Sequence, residues 1–181
     1  TAGLTVTNAA ADFTLTQRAD LAIASSVALL ADTGTADNVN LAYTANDGFT
    51  SAAALTIANV ESLKITTTDG NTTAQTAVIV TPITAAAATT VTVSGNMGVS
   101  LIGGMTQTTL TSLDASGLTA TGGFGGLTWT SGALAAAATV KGGTAGDNTI
   151  TFTAATKAVT YTGGTGVDTI VAANAQANVI N

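Results

Sequence analysis

The stretch GGTAGDNTI, Gly142 to Ile150, returns as GGTGVDTI, Gly163 to Ile170. The closing isoleucines stand 20 positions apart, and NAQANVI, Asn174 to Ile180, sets a third one 10 positions further on. Earlier, GTADNVNL, Gly34 to Leu41, echoes GTAGDNTI without the glycine before Asp-Asn. In the two glycine-rich copies a turn of glycine and aspartate leads straight into a short apolar run. The spacing predicts half-coils of about ten residues, stacked as an irregular parallel β-solenoid or β-roll. A unit that small cannot bury its apolar side chains alone and needs a neighbour on each side.

Away from this repeat the same alternation continues. Leu63-Lys64-Ile65, Val78-Ile79-Val80, Val91-Thr92-Val93, Val99-Ser100-Leu101 and Val159-Thr160-Tyr161 are strand-sized runs. Turn signals separate them: Asp69-Gly70-Asn71, Ser94-Gly95-Asn96, Gly103-Gly104, Gly122-Gly123 and Gly163-Gly164. Threonine and alanine dominate, and β-branched side chains favour a pleated surface. The fold class predicted is therefore mainly all-β. Residues 51–181 form its Thr/Ala-rich solenoid-like region, and residues 1–50 a separate N-terminal segment of strand or helix. Between Ala11 and Ala31, Leu15, Leu21, Ile23, Val27 and Leu30 suit a short helix as well as strands, with Asp12 placed to cap it. The runs Ala85 to Ala88 and Ala135 to Ala138 fit a helical turn or a tight layer of the coil.

What the chain lacks narrows its chemistry. It has no His, no Cys, one Glu and four Lys or Arg in 181 residues. Its many Ser and Thr hydroxyls have no imidazole to activate them, which points away from an enzyme. Cys- and His-based zinc, haem and iron–sulfur sites are ruled out. The net charge of −6 and a pI near 4.1 offer no basic footprint for nucleic acid. No apolar run reaches the roughly 20 residues of a transmembrane helix. Thr1 and Asn181 read as the limits of a fragment or ordered part of something longer. Oxygen-ligand chemistry remains, and its usual cation is calcium.

GGTGVDTI satisfies the pattern G-G-x-G-x-D-x-U, with U a large apolar residue, of calcium-binding β-rolls. Glycines let the backbone turn its carbonyls inward, and Asp168 supplies a carboxylate. Calcium takes six to eight oxygens, so a neighbouring loop must complete the shell, and Gly146-Asp147-Asn148 is the natural one. The metal-free reading stands beside it, because Asp and Gly favour turns on their own account. Asp37-Asn38, Asn46-Asp47-Gly48 and Asp69-Gly70-Asn71 are lesser candidates of the same kind. Gly122 to Gly126, with Phe124 at its centre, reads as a crossing or close-packing site. Trp129, Tyr43 and Tyr161 read as plugs rather than a carbohydrate platform. Glu61 and Asp69 could be nominated as a glycosidase pair only because carboxylates on loops are easily paired.

NVESLKITTTDGN, Asn59 to Asn71, and LTSLDASGLT, Leu110 to Thr119, together with GGTGVDTI, resemble bacterial surface-layer proteins of the type I secreted, RTX calcium-binding kind. The resemblance covers roughly Asn59 to Ile180. It implies a structural, extracellular protein that folds in external calcium and self-associates with neighbouring copies into a two-dimensional array. A cell-surface glycan is then a candidate anchor. By the same resemblance Asp168 is a side-chain ligand, Gly164 and Gly166 are carbonyl donors, and Asp147 and Asn148 lie in the adjoining loop. The tandem ladder of perfect nonapeptides is absent, so one to three ions are implied rather than a long calcium roll. A segment of a secreted RTX adhesin, or the non-catalytic β-roll of a secreted enzyme, would carry the same motifs.

Overall fold

The computed structural model describes residues 3–31, 33–71, 75–102 and 104–181. Gly103 of the Gly103-Gly104 turn signal lies outside them. The described residues contain no helix and form three sheets in which every strand pair is parallel. Sheet A holds β1 (Thr5–Ala9), β3 (Ser25–Leu29), β6 (Leu55–Ile57) and β9 (Ile83–Thr84). Sheet B is the spine, with β2 (Phe13–Gln17), β4 (Asn38–Ala45), β7 (Ser62–Asp69), β10 (Thr90–Gly95), β12 (Ser112–Leu118), β14 (Ala138–Lys141), β16 (Val159–Thr162) and β18 (Val179–Ile180). Sheet C holds β5 (Phe49–Thr50), β8 (Ile79–Val80), β11 (Val99–Ser100), β13 (Leu127–Thr130), β15 (Thr149–Thr151) and β17 (Thr169–Val171).

Chain order and sheet order together make a β-solenoid of about seven turns. The offset from one coil to the next varies from 30 residues, Phe49 to Ile79, down to 19, Thr160 to Val179. From β3 to β11 each coil visits A, then B, then C. After β9 sheet A ends, and the later coils alternate between B and C alone. Ile150 lies opposite Ile170 in sheet C, one coil apart, whereas Ile180 lies beside Tyr161 in sheet B, half a coil on.

The alternation of side chains fixes what each sheet buries. In sheet B, Val39, Leu63, Val91, Leu113, Val140 and Tyr161 form one inward column, each in register with the next. Leu41, Ile65 and Val93 form a second, all within 2% of full burial. Sheet C answers with Phe49, Ile79, Val99 and Leu127, then Trp129, Ile150 and Ile170. Fully burying side chains of this size stabilises by about 1.5–3 kcal/mol each before chain entropy is set against it.

Residues 11–31 form no helix: Phe13–Gln17 and Ser25–Leu29 are strands, and Leu21 and Ile23 lie in the bend between them. Within β3, Ser25, Val27 and Leu29 are buried while Ser26 and Ala28 are not, a period of two. Phe13, Leu15 and Gln17 of β2 lie against Val39, Leu41 and Tyr43 of β4. The same apolar set could have lined a helix, but stacking on β4 and β6 gives it a partner that a lone helix would lack. Asp12 caps no helix; it sits at a corner with φ of +61° and accepts a 2.7 Å bond from Asn38 Nδ2. The alanine runs are corners, with Ala85 and Ala88 packed inward. Strands β2 and β4 share sheet B with β7, so the spine passes through position 50 without a break.

Candidate functional site

A solenoid must satisfy the backbone N–H groups where strands give way to corners, because a buried orphan N–H is costly. Here one device recurs: a polar side chain accepts the N–H of a residue one coil earlier. Ser25 Oγ takes Leu4 N at 3.1 Å, Glu61 Oε2 takes Asp37 N at 3.1 Å, and Asn96 Oδ1 takes Asp69 N at 2.8 Å. Farther along, Asn148 Oδ1 takes Leu127 N at 2.9 Å, Asp168 Oδ1 takes Asn148 N at 3.2 Å, and Asn178 Oδ1 takes Val159 N at 2.9 Å. The Gly/Asn/Asp clusters of the sequence are these corners.

The corner holding the two glycine-rich loops is the most connected. Asn148 is 1% exposed. Its Oδ1 also accepts Gly143 N at 2.7 Å, and its Nδ2 donates to Gly143 O and Gly146 O, both at 3.1 Å. The same Nδ2 donates to Asp168 Oδ1 at 2.7 Å. Asp168 Oδ2 accepts the Tyr161 hydroxyl at 2.8 Å. Tyr161 is 1% exposed, and burial, followed by the bond to and the charge of Asp168, pushes its hydroxyl far above the ordinary tyrosine value. Two glycines make room for this group. A Cβ on Gly163 would collide with Asp168 Oδ2, and one on Gly142 would lie 2.5 Å from the Tyr161 hydroxyl and 2.6 Å from the Asn148 amide. Gly164 and Gly166 serve a different need, lying so close to Thr144 O and Gly146 O that a side chain would strike the coil beneath.

The structure thus brings Asp168 and Asn148 together and separates Asp147 from them. Asp147 accepts Val167 N at 2.9 Å through Oδ1, at an exposed bond outside the buried Asn148 network. Both oxygens of Asp168 already face N–H or O–H donors, and among the described residues no three carboxylates gather around one point. Glu61 directly precedes the eight-residue β7 and Asp69 ends it, about 25 Å apart at strand rise, far beyond glycosidase spacing. Asp69 Oδ1 accepts Asn71 N at 3.1 Å, a local turn. Gly125 and Gly126 pack against Ala120 and Asp147, the close packing expected of that loop.

Sequence reasoning missed the part played by Tyr161. Its signal is positional: a tyrosine seven residues before the loop aspartate, on the inward column of sheet B. Asn148 uses its amide nitrogen as much as its oxygen. Compared with known proteins, the chain matches no family model, no curated protein and no solved structure. No helix among the described residues is long and apolar enough to cross a membrane.

Proposed function

We propose that this chain is a structural segment of a secreted bacterial surface-layer protein, a rigid non-catalytic rod that associates with copies of itself at the outer cell surface. The observation that supports this reading best is the unbroken sheet B, eight strands long, over a core filled by aliphatic and aromatic columns. The two phrases that carry the family resemblance occupy equivalent places on that sheet. Ser62 and Ser112 flank Thr90 in register, so VESLKI, Val60 to Ile65, and LTSLDA, Leu110 to Ala115, are the same corner and strand two coils apart. Repetition of one corner suits a protein selected for shape.

Calcium belongs to this proposal through the match of GGTGVDTI to the ion-binding pattern. The corner is already satisfied by protein donors, so the ion strengthens the solenoid and its contacts rather than creating the fold. At a free concentration 100 times its dissociation constant, an ion bound only to the folded state would add about 2.7 kcal/mol per site. Electron microscopy of the purified chain with millimolar calcium tests the array. Ordered sheets support the surface-layer reading. A chain that stays monomeric and grips a surface is an adhesin segment instead, and one that does neither leaves the secreted-enzyme β-roll.

A further inference from the structure

Two of the chain's four cations stand on the outer face of sheet B. Lys64 of β7 and Lys141 of β14 share one register row, with Thr92 and Asp114 between them. Both lysines are exposed, and the side chains beside them, Leu63, Ile65 and Val140, are buried on the opposite face. Of the two carboxylates within the strands of this sheet, Asp114 lies outward and Asp69 falls on the inward alternation at the end of β7. Lys141 bonds Asp114, while Lys64 forms no ion pair among the described residues. The row next to the lysines is short-chained: Ser62, Thr90, Ser112, Thr139 and Thr160 stand in register across five strands. Such side chains lose less rotamer freedom than long ones when a surface covers them.

Carboxylates gather instead along the edge where sheet B turns into sheet C. Asp47 follows β4, Asp69 ends β7, and Asp147 and Asp168 follow β14 and β16. This edge and the lysine row repeat in step. Asp69 belongs to the coil of Lys64, and Asp147 to the coil of Lys141. Each pair therefore spans the same three steps of sheet B, from β7 through β10 and β12 to β14, about 14 Å at the usual strand spacing. Asp69 and Asp147 are both part-exposed.

We propose that the outer face of sheet B docks on the B-to-C edge of a second copy, the two rods parallel and unstaggered. Lys64 then faces Asp69 of the second copy, and Lys141 faces its Asp147. This inference rests on the array reading and gives it a surface and a register.

Three features select a copy of this chain as the occupant. At a net charge of −6 two copies repel over most of their surface, and this face presents the opposite charge. The lysines and the aspartates share one spacing, so both pairs close at a single axial position. Contact between unlike surfaces leaves every copy with a free face and a free edge, so parallel copies extend an open row. Exposed ion pairs contribute little affinity each, but they fix register and exclude staggered neighbours.

The test is sedimentation velocity of the whole chain, in excess chelator and again with millimolar calcium, at low and high sodium chloride. Association should weaken several-fold as salt rises. Lys64→Glu should abolish it while leaving the thermal melt unchanged, and Asp69→Lys should do the same to association. The double variant Lys64→Glu/Asp69→Lys restores the pair with its charges exchanged and should associate again. Lys64→Gln should weaken association less than Lys64→Glu, and it serves if Asp69→Lys does not fold. Association that both Lys64 variants leave intact, whether or not calcium drives it, would overturn this docking and keep the array. A double variant no better than either single one would overturn it too, as would rescue of Lys64→Glu by Asp147→Lys in place of Asp69→Lys. A chain that stays monomeric in every condition would overturn the array along with it.

Discussion

Asp168 Oδ1 accepts both the backbone N–H and the side-chain amide of Asn148, the residue one coil beneath it, at 3.2 and 2.7 Å. Asp168 thereby does for Asn148 what Asn148 does for Leu127, whose N–H it accepts at 2.9 Å. The two loops that look like ion sites in the sequence are successive rungs of one hydrogen-bonded stack.

Asp168→Ala should therefore destabilise the chain even in the presence of a chelator. It strips partners from Asn148 Nδ2, from Asn148 N and from the Tyr161 hydroxyl, and a loss of about 1–3 kcal/mol is expected for breaking a part-buried charged network of this kind. Asp168→Asn should lose less, because asparagine at position 148 already performs the equivalent role one coil earlier. Urea denaturation in chelator measures both. Equal stability of wild type and Asp168→Ala would remove the corner from the account.

The buried tyrosines set the alkaline limit. Tyr43 is 1% exposed, and its burial, only partly offset by its bond with Thr81, pushes its hydroxyl from 10.0 to about 12. Tyr161 is shifted in the same direction. An unfolded chain releases these protons near pH 10 while the folded one keeps them, so the stability they contribute is full below pH 10 and falls as pH rises above it. Tyr43→Phe should flatten that alkaline decline between pH 10 and 12. Chemical denaturation across that range reads the slope, and an unchanged slope would show that the phenol titrates normally.

Close stacking of coils should be intolerant of a single methyl group. A Cβ on Gly126 would run into Asp147 O, whereas one on Gly123 would meet nothing nearer than Asp147 Oδ2 at 3.9 Å. Gly126→Ala should cost about 1–3 kcal/mol or more by overpacking, and Gly123→Ala should stay within about 0.5 kcal/mol. Similar melting temperatures for the two variants would contradict the placement of the glycine-rich loop.

Much of this architecture was legible in the residues, and the reasons are specific. The 20-residue offset of Ile150 and Ile170 is one coil of sheet C, and both copies keep the same turn residues ahead of the strand. Sheet A left no such trace. Its strands β6 and β9 have three and two residues, too few to show a period. Leu15 and Val27 fit helix and strand alike, and pairing with β4 and β6, far along the chain, decides between them. At the candidate loop the residue types were right but their partners were not visible. Nothing local says that Tyr161 turns its hydroxyl onto Asp168, or that Asp147 lies outside the buried network that Asp168 and Asn148 share.

The surface pair tests how little exposed charge contributes. Lys141 Nζ donates to Asp114 Oδ2 at 2.8 Å, with the two side chains 47% and 29% exposed. Burial of Asp114 opposes its charge, but bonds from Lys141 and Ser116 outweigh that and hold its carboxyl below the ordinary 3.8. Its contribution is present above pH 3.8 and is lost as pH falls through the lowered value. Lys141→Met should cost less than about 1 kcal/mol at low salt, and still less in high salt. A larger, salt-independent loss would place this pair among the supports of sheet B.

The most direct test of the central claim is a thermal melt by circular dichroism in excess chelator, repeated with millimolar calcium. A solenoid held by its own columns and corners gives a cooperative, β-rich melt in chelator, and calcium raises its midpoint. A chain that shows no β-structure until calcium is added would contradict the account, because the Asn148–Asp168 stack would then depend on an ion.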